Sequence, residues 1–144
     1  MQRLIIALAA LIGLSGQALP ERYAEGQVWE YRVRPGDEGS LLKIQQIEIL
    51  PEFAERGPVY HISVIGVRIA GQRTDLQHIP VARGTLDASV TRLAPNAPEF
   101  PDPAEGIRQW REARGGVFTI AMEQITAFVD QTISGAVPSP APQS

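Results

Sequence analysis

Residues 59–69 read Val59-Tyr60-His61-Ile62-Ser63-Val64-Ile65-Gly66-Val67-Arg68-Ile69, and the chain continues through Gly71-Gln72-Arg73-Thr74-Asp75. The first stretch is the most β-branched of the chain. It predicts a central strand buried on both faces for part of its length. The polar stretch from Gly71 to Asp75 predicts a reversal into a short fourth strand near Leu76 to Val81. Together they point to an antiparallel meander.

Upstream, Val28-Trp29-Glu30-Tyr31-Arg32-Val33 alternates, with Trp29, Tyr31 and Val33 on one face and Glu30 and Arg32 on the other. That is a strand with one wet side. Pro35-Gly36-Asp37 marks a turn. In the following strand, from about Leu41 to Leu50, Leu42 and Ile44 share one phase while Ile47 and Ile49 share the other. The change of phase across Gln45-Gln46 predicts a β-bulge, which would curve the sheet.

Downstream the period becomes helical. Leu86, Val90 and Leu93 stand at i, i+4 and i+7 behind a Thr85 cap, which predicts a short amphipathic helix. The proline-rich stretch Pro95 to Pro101 cannot continue it. A second helix is marked by Asp102 as cap, Pro103 in the first turn, Glu105 three residues on, and Gly115-Gly116 as the stop. Ile107 and Trp110 form its inner face. Val117 to Ile120 is a candidate fifth strand, and Met122, Ile125, Val129 and Ile133 form the stripe of a last helix. Strands followed by helices predict an α+β fold: a curved antiparallel sheet of four to five strands with two or three helices packed on one face.

At the N-terminus, Arg3, the apolar run Leu4 to Leu14 and the small residues up to Ala18 follow the order of a secretory signal. Eleven apolar residues span only about half of a hydrocarbon core about 30 Å thick. The expected organisation is a signal peptide at 1–18, a single α+β domain at 19–135 and a disordered Pro-rich tail at 136–144. The mature protein would be exported, periplasmic or secreted, with no stable membrane insertion once the signal is cleaved. Absence of cysteine excludes disulfides, thiol chemistry and a lipid-bearing cysteine. Beyond residue 18 stand sixteen acidic and twelve basic residues, a net charge of about −4 that argues against nucleic-acid partners.

Few residues could carry chemistry. If the reversal at Gly71 to Asp75 closes a simple hairpin, His78 falls opposite Val67 or Arg68. His61 is then roughly 20 Å away along the strand, which makes a shared zinc site improbable. A lone His61 inside the strongest strand reads as a histidine satisfied by a neighbour. Asp75 and His78 could form a weak exposed pair for a metal or a proton. Ser63 and Ser89 lie in no nucleophile motif. The loop Gly36 to Ser40 is too acidic to cradle phosphate. Arg108, Arg111 and Arg114 form a basic strip beside Trp110, either a solvated face paired with Glu105 or Glu112 or a surface for an anion or partner. No catalytic residue, cofactor or metal ligand is specified by these sets.

The stretches Tyr23 to Arg32, with Gly26-Gln27-Val28-Trp29, then Arg34 to Ser40, Tyr60 to Val64, Leu86 to Thr91 and Gly116-Val117-Phe118-Thr119-Ile120 resemble a family of small uncharacterised bacterial proteins. The resemblance spans about Tyr23 to Ile133 and implies no established activity. The expectation is a non-catalytic binding or interaction module, inhibitor or immunity-like, with an unknown protein partner. The alternatives are a small acid/base hydrolase using a histidine with Asp or Glu, and a module holding a small apolar molecule near Trp29 and Tyr31.

Overall fold

The computed structural model describes residues 21–136, so the expected signal peptide and proline-rich tail lie outside the described residues, Ala136 apart. Five strands, β1 (Val28–Tyr31), β2 (Leu41–Glu48), β3 (Val59–Ile69), β4 (Gln72–Ala82) and β5 (Val90–Leu93), form one antiparallel sheet in the order β4-β3-β2-β1-β5. The helices are α1 (Arg83–Ser89), α2 (Ala104–Ala113) and α3 (Met122–Ala136), and a 3-10 turn spans Pro51–Arg56. This is the α+β fold that the strand and helix periods predict.

β3 has the expected bounds and pairs along its length with β2 and β4. The expected bulge in β2 is present: Ile44 pairs with Ile62 and Gln46 with His61, leaving Gln45 as the extra residue. Its consequence is a change of face, so that Ile47 joins the core side and Glu48 the other. The core side carries Leu42, Ile44, Tyr60, Ile62, Val64, Val67, Ile79 and Val81. Leu86 of α1 and Met122 and Ile125 of α3 close over them, with Tyr23, Trp29 and Tyr31. α1 and α3 thus share one face of the sheet. α2 lies against the opposite face, where Trp110 meets His61, the residue between inward Tyr60 and Ile62.

Four details depart from expectation. The reversal is at Ala70-Gly71 and not at Gly71 to Asp75: Ile69 pairs with Gln72, and both turn residues have positive φ, 51° and 79°. Two left-handed residues make a tight hairpin turn whose twist matches the strands. Gln72 to Asp75 are polar because they lie on an exposed edge strand, where charge discourages pairing with another chain. The predicted helix also ends early, since Val90 and Leu93 belong to β5, paired with Tyr31 and Trp29. β-branched Val90 and Thr91 suit a strand, and pairing with β1 overrides the helical spacing.

Thr85 is not a cap. It lies inside α1, where its hydroxyl donates to the Phe118 carbonyl at 3.2 Å. Val117 to Ile120 contributes a single parallel bridge from Phe118 to Val81, so the fifth strand is β5.

α3 is fastened at both ends. Ser89 donates to the Thr85 carbonyl at 2.6 Å and accepts from the Met122 amide at 2.9 Å, which satisfies a free N–H at the helix start. Near the other end, Asp130 accepts from Arg34 at 3.1 Å and from the Ala70 amide at 2.8 Å, tying the helix to the β3-β4 turn. Met122 and Ile125 of the predicted stripe are buried and Val129 packs on the core, while Ile133 is exposed. No helix among the described residues is long and apolar enough to cross a membrane.

Ala70 occupies a left-handed position that costs an L-residue with a Cβ about 1–2 kcal/mol. Ala70→Asn, which tolerates this conformation and gives the Asn-Gly turn pair, is expected to stabilise the fold by about 0.5–1 kcal/mol. A higher urea midpoint at unchanged slope checks it.

Candidate functional site

The face of the sheet away from the main core carries a chain of polar side chains. Arg111 of α2 donates from Nη2 to Glu48 Oε1 at 2.8 Å, and the same nitrogen lies 2.7 Å from Oε2. Glu48 Oε1 lies 2.8 Å from His61 Nε2, and His61 Nδ1 lies 2.8 Å from His78 Nε2. β2, β3, β4 and α2 each supply one member. Trp110 sets its ring edge-on against both imidazoles, at 5.1 Å from His61 and 6.2 Å from His78. The imidazoles lie edge to edge, tilted by 26°, with their centroids 5.0 Å apart.

The expected separation of the histidines is therefore overturned. The turn lies earlier than the polar residues implied, which moves the register. A bulge then sets Gln77 and His78 together opposite Ser63, between the pairs Ile62 with Ile79 and Val64 with Leu76. A bulge in β3 at Ile65-Gly66 offsets it, so Ile62 with Ile79 keeps the register of Ile69 with Gln72. The displaced turn alone carries His78 away from Val67 to the face of His61, two residues along β3. Asp75 is not its companion. Asp75 sits across from a second bulge at Ile65-Gly66 and accepts from the Gly66 amide at 3.0 Å.

α2 reaches this face through local devices. Asp102 accepts from the Ala104 amide at 2.9 Å, but the cap position falls to Pro103 and not to Asp102, and Glu105 pairs with Arg108 and leaves the box unclosed. The stop is Arg114, left-handed at φ 51° and ψ 50°, with the Gly115 amide donating to the Trp110 carbonyl at 2.9 Å. Gly106 is needed for contact, since a Cβ there would lie 2.5 Å from the Cβ of His78. Ahead of the helix, Gln45 donates to Ser63 Oγ and to the Pro101 carbonyl, each at 3.1 Å, which pins the proline-rich segment to the sheet.

Electrostatics follow from burial. His61 is fully buried, and desolvation holds its imidazole below the ordinary value despite the opposing bond to Glu48. Burial and then neighbouring His61 push His78 down to about 4, against a hydrogen bond with the Gly106 backbone. Burial would raise Glu48, but its bonds to Arg111 and His61 outweigh this and hold the carboxyl low. With Glu48 ionised, His61 donates from Nε2 to Oε1. Its bare Nδ1 then accepts from Nε2–H of His78.

This arrangement can take up a proton, and most of its polar atoms are turned to one another. Both nitrogens of His61 and Nε2 of His78 are hydrogen-bonded inside the fold. Glu48 lies on the far nitrogen of His61, and among the described residues no group of three His, Cys, Asp or Glu could hold a metal. Ser63 donates to the Gln77 carbonyl at 2.7 Å, and Ser89 serves the helix junction. Asp37 of the acidic loop is buried against Arg34 and the Arg68 amide. Trp29 and Tyr31 are buried in the core.

The three arginines part company. Arg108 pairs with Glu105 and Glu112 on an exposed helix face. Arg111 reaches the sheet. Arg111 and Arg114, with Leu50, Glu52, Trp110 and Gly115, line a groove of about 530 Å³. Sequence reasoning missed Glu48 as a histidine partner, although the predicted bulge at Gln45 is what turns it onto the face of His61. Comparison of the chain with protein-family models, with curated proteins and with solved structures found no match.

Two outcomes follow from this geometry. Gly106→Ala should gain helix propensity, by about 1 kcal/mol, yet lower stability, because the new methyl group displaces His78 or lifts α2; a fall in thermal midpoint checks it. His78 binds protons more weakly folded than unfolded, so its contribution to stability is intact above its ordinary value of 6.5 and is lost as pH falls to about 4. Urea titrations across this window should show a loss on the order of 2 kcal/mol that His78→Gln reduces.

Proposed function

We propose that this chain is an exported, non-catalytic binding module, and that its contact surface is the groove at the C-terminal end of α2. One observation carries the reading: both nitrogens of His61 and Nε2 of His78 are hydrogen-bonded inside the fold, while Trp110, Leu50 and Arg114 are brought together around an open groove. Arg114 stands at a left-handed cap position that ordinarily falls to glycine. Holding an arginine there costs roughly 1 kcal/mol, and strain of this kind gathers at functional positions. Among the described residues Arg114 makes no ion pair, whereas Arg108 and Arg111 are both paired.

The partner that suits the groove presents an apolar side chain to Leu50 and Trp110 and a carboxylate to Arg114, as an inhibitor or immunity-like contact would. The order of charged, apolar and small residues over 1–18 supports export of the protein, and a periplasmic or secreted partner is the one to seek. A second reading is a small carboxylic acid as ligand, favoured by a groove volume of about 530 Å³.

The test is capture from a periplasmic extract of the source cell by the immobilised protein and by Arg114→Glu. Binding that the wild type shows and Arg114→Glu loses about tenfold or more, at unchanged thermal midpoint, is the expected result. Equal capture by both proteins removes the groove from the contact, and stabilisation by small carboxylic acids alone in a thermal-shift series favours the second reading.

A further inference from the structure

The groove is built on the helix that the fold holds least firmly. α2 buries one side chain, Ile107, and half-buries Trp110. It is entered through a segment bearing Pro95, Pro98, Pro101 and Pro103 and left through Gly115-Gly116. An element with so little buried apolar surface opens at a small fraction of the global unfolding free energy. What fastens its C-terminal half is the bond from Arg111 to Glu48 and the seat of Trp110 on the two imidazoles.

We propose that Arg111, Glu48, His61 and His78 form an acid-sensitive latch, in which protonation of the histidine pair frees α2 from the sheet and dismantles the groove. The regulation so assigned rests on the groove being the binding surface, while the latch itself is a property of the isolated chain. The charged and titratable groups that meet here are Glu48 from β2, His61 from β3, His78 from β4 and Arg111 from α2, with Glu52 and Arg114 beyond Trp110 in the groove.

A count of protons gives the mechanism. One added proton enters at Nδ1 of His78, toward the Gly106 backbone, and all three bonds of the chain survive. A second must take Nδ1 of His61, the atom that accepts from His78. Two N–H groups then face each other across 2.8 Å, between two cationic rings whose centroids are 5.0 Å apart. His61, His78 and Arg111 would be three cations balanced by the single carboxylate of Glu48, with His61 fully buried and Arg111 at the solvent edge. The rings cannot keep their places, and Trp110 rests on both of them.

The experiment uses the full chain labelled with 5-fluorotryptophan, which has two tryptophans, Trp29 in the core and Trp110 on α2. The fluorine resonance of Trp110, assigned with Trp110→Phe, is followed from about pH 7 to about pH 4 with no partner present. It is expected to shift or broaden while that of Trp29 holds still. In His78→Gln, whose amide can donate to His61 but takes no proton, the Trp110 transition is expected to vanish. Arg111→Gln should give at neutral pH the Trp110 signal that the wild type reaches in acid.

An unmoved Trp110, Trp29 and Trp110 moving together, or a transition unchanged in His78→Gln overturns the latch. Loss of partner capture in Arg114→Glu bears on the groove alone, so failure of either idea is told apart from failure of the other.

Discussion

β3 is hydrogen-bonded on both edges and covered on both faces, and the rest of the structure answers to that constraint. Its core side is apolar and is closed by α1 and α3. Its other side carries His61 and Ser63, which are equally buried. A buried imidazole left without partners would cost roughly 1–3 kcal/mol for each unsatisfied group. The second face therefore needs polar partners brought from elsewhere, and Glu48, His78 and Arg111 are those partners. The bulge in β2 and the register that the Ala70-Gly71 turn gives β4 place the first two within reach.

The two faces consequently differ in how they hold. Burial of Leu86, Met122 and Ile125 attaches α1 and α3 by the hydrophobic effect, which is insensitive to pH, and Ser89 and Asp130 add bonds at the ends of α3. α2 is attached by one buried isoleucine, a tryptophan against imidazoles and an ion pair. Polar attachment in a low dielectric is strong while every group has its partner and weak once one proton too many enters. A fold with one firm layer and one conditional layer has the physical makings of a regulated surface.

Much of the sheet was legible in the residues. The β-branched content of 59–69 located β3 to the residue, and the conflict of phase between Ile44 and Ile47 located the bulge in β2. Asp102 and Gly115-Gly116 bracketed α2. Less legible were features in which local preference and tertiary pairing disagree. The polar run from Gln72 to Asp75 resembles a turn but is an exposed strand edge. Val90 and Leu93 keep helical spacing with Leu86 but are pulled into pairing with β1. Arg108, Arg111 and Arg114 look equivalent at intervals of three, and only the packing of α2 separates the solvated one from the two at the groove.

The amino-acid sequence by itself determined the α+β class, the central strand, the bulge in β2, the absence of thiol chemistry and the N-terminal order of residues that argues for export. These depend on composition and on short periods, which act locally. The contact of His61 with His78, and of both with Glu48 and Trp110, was decided only by the tertiary structure. It depends on the register of β3 against β4, and a turn displaced by a few residues moves a side chain by several ångströms along the strand. No local preference carries that information, because register is set by the whole buried face at once.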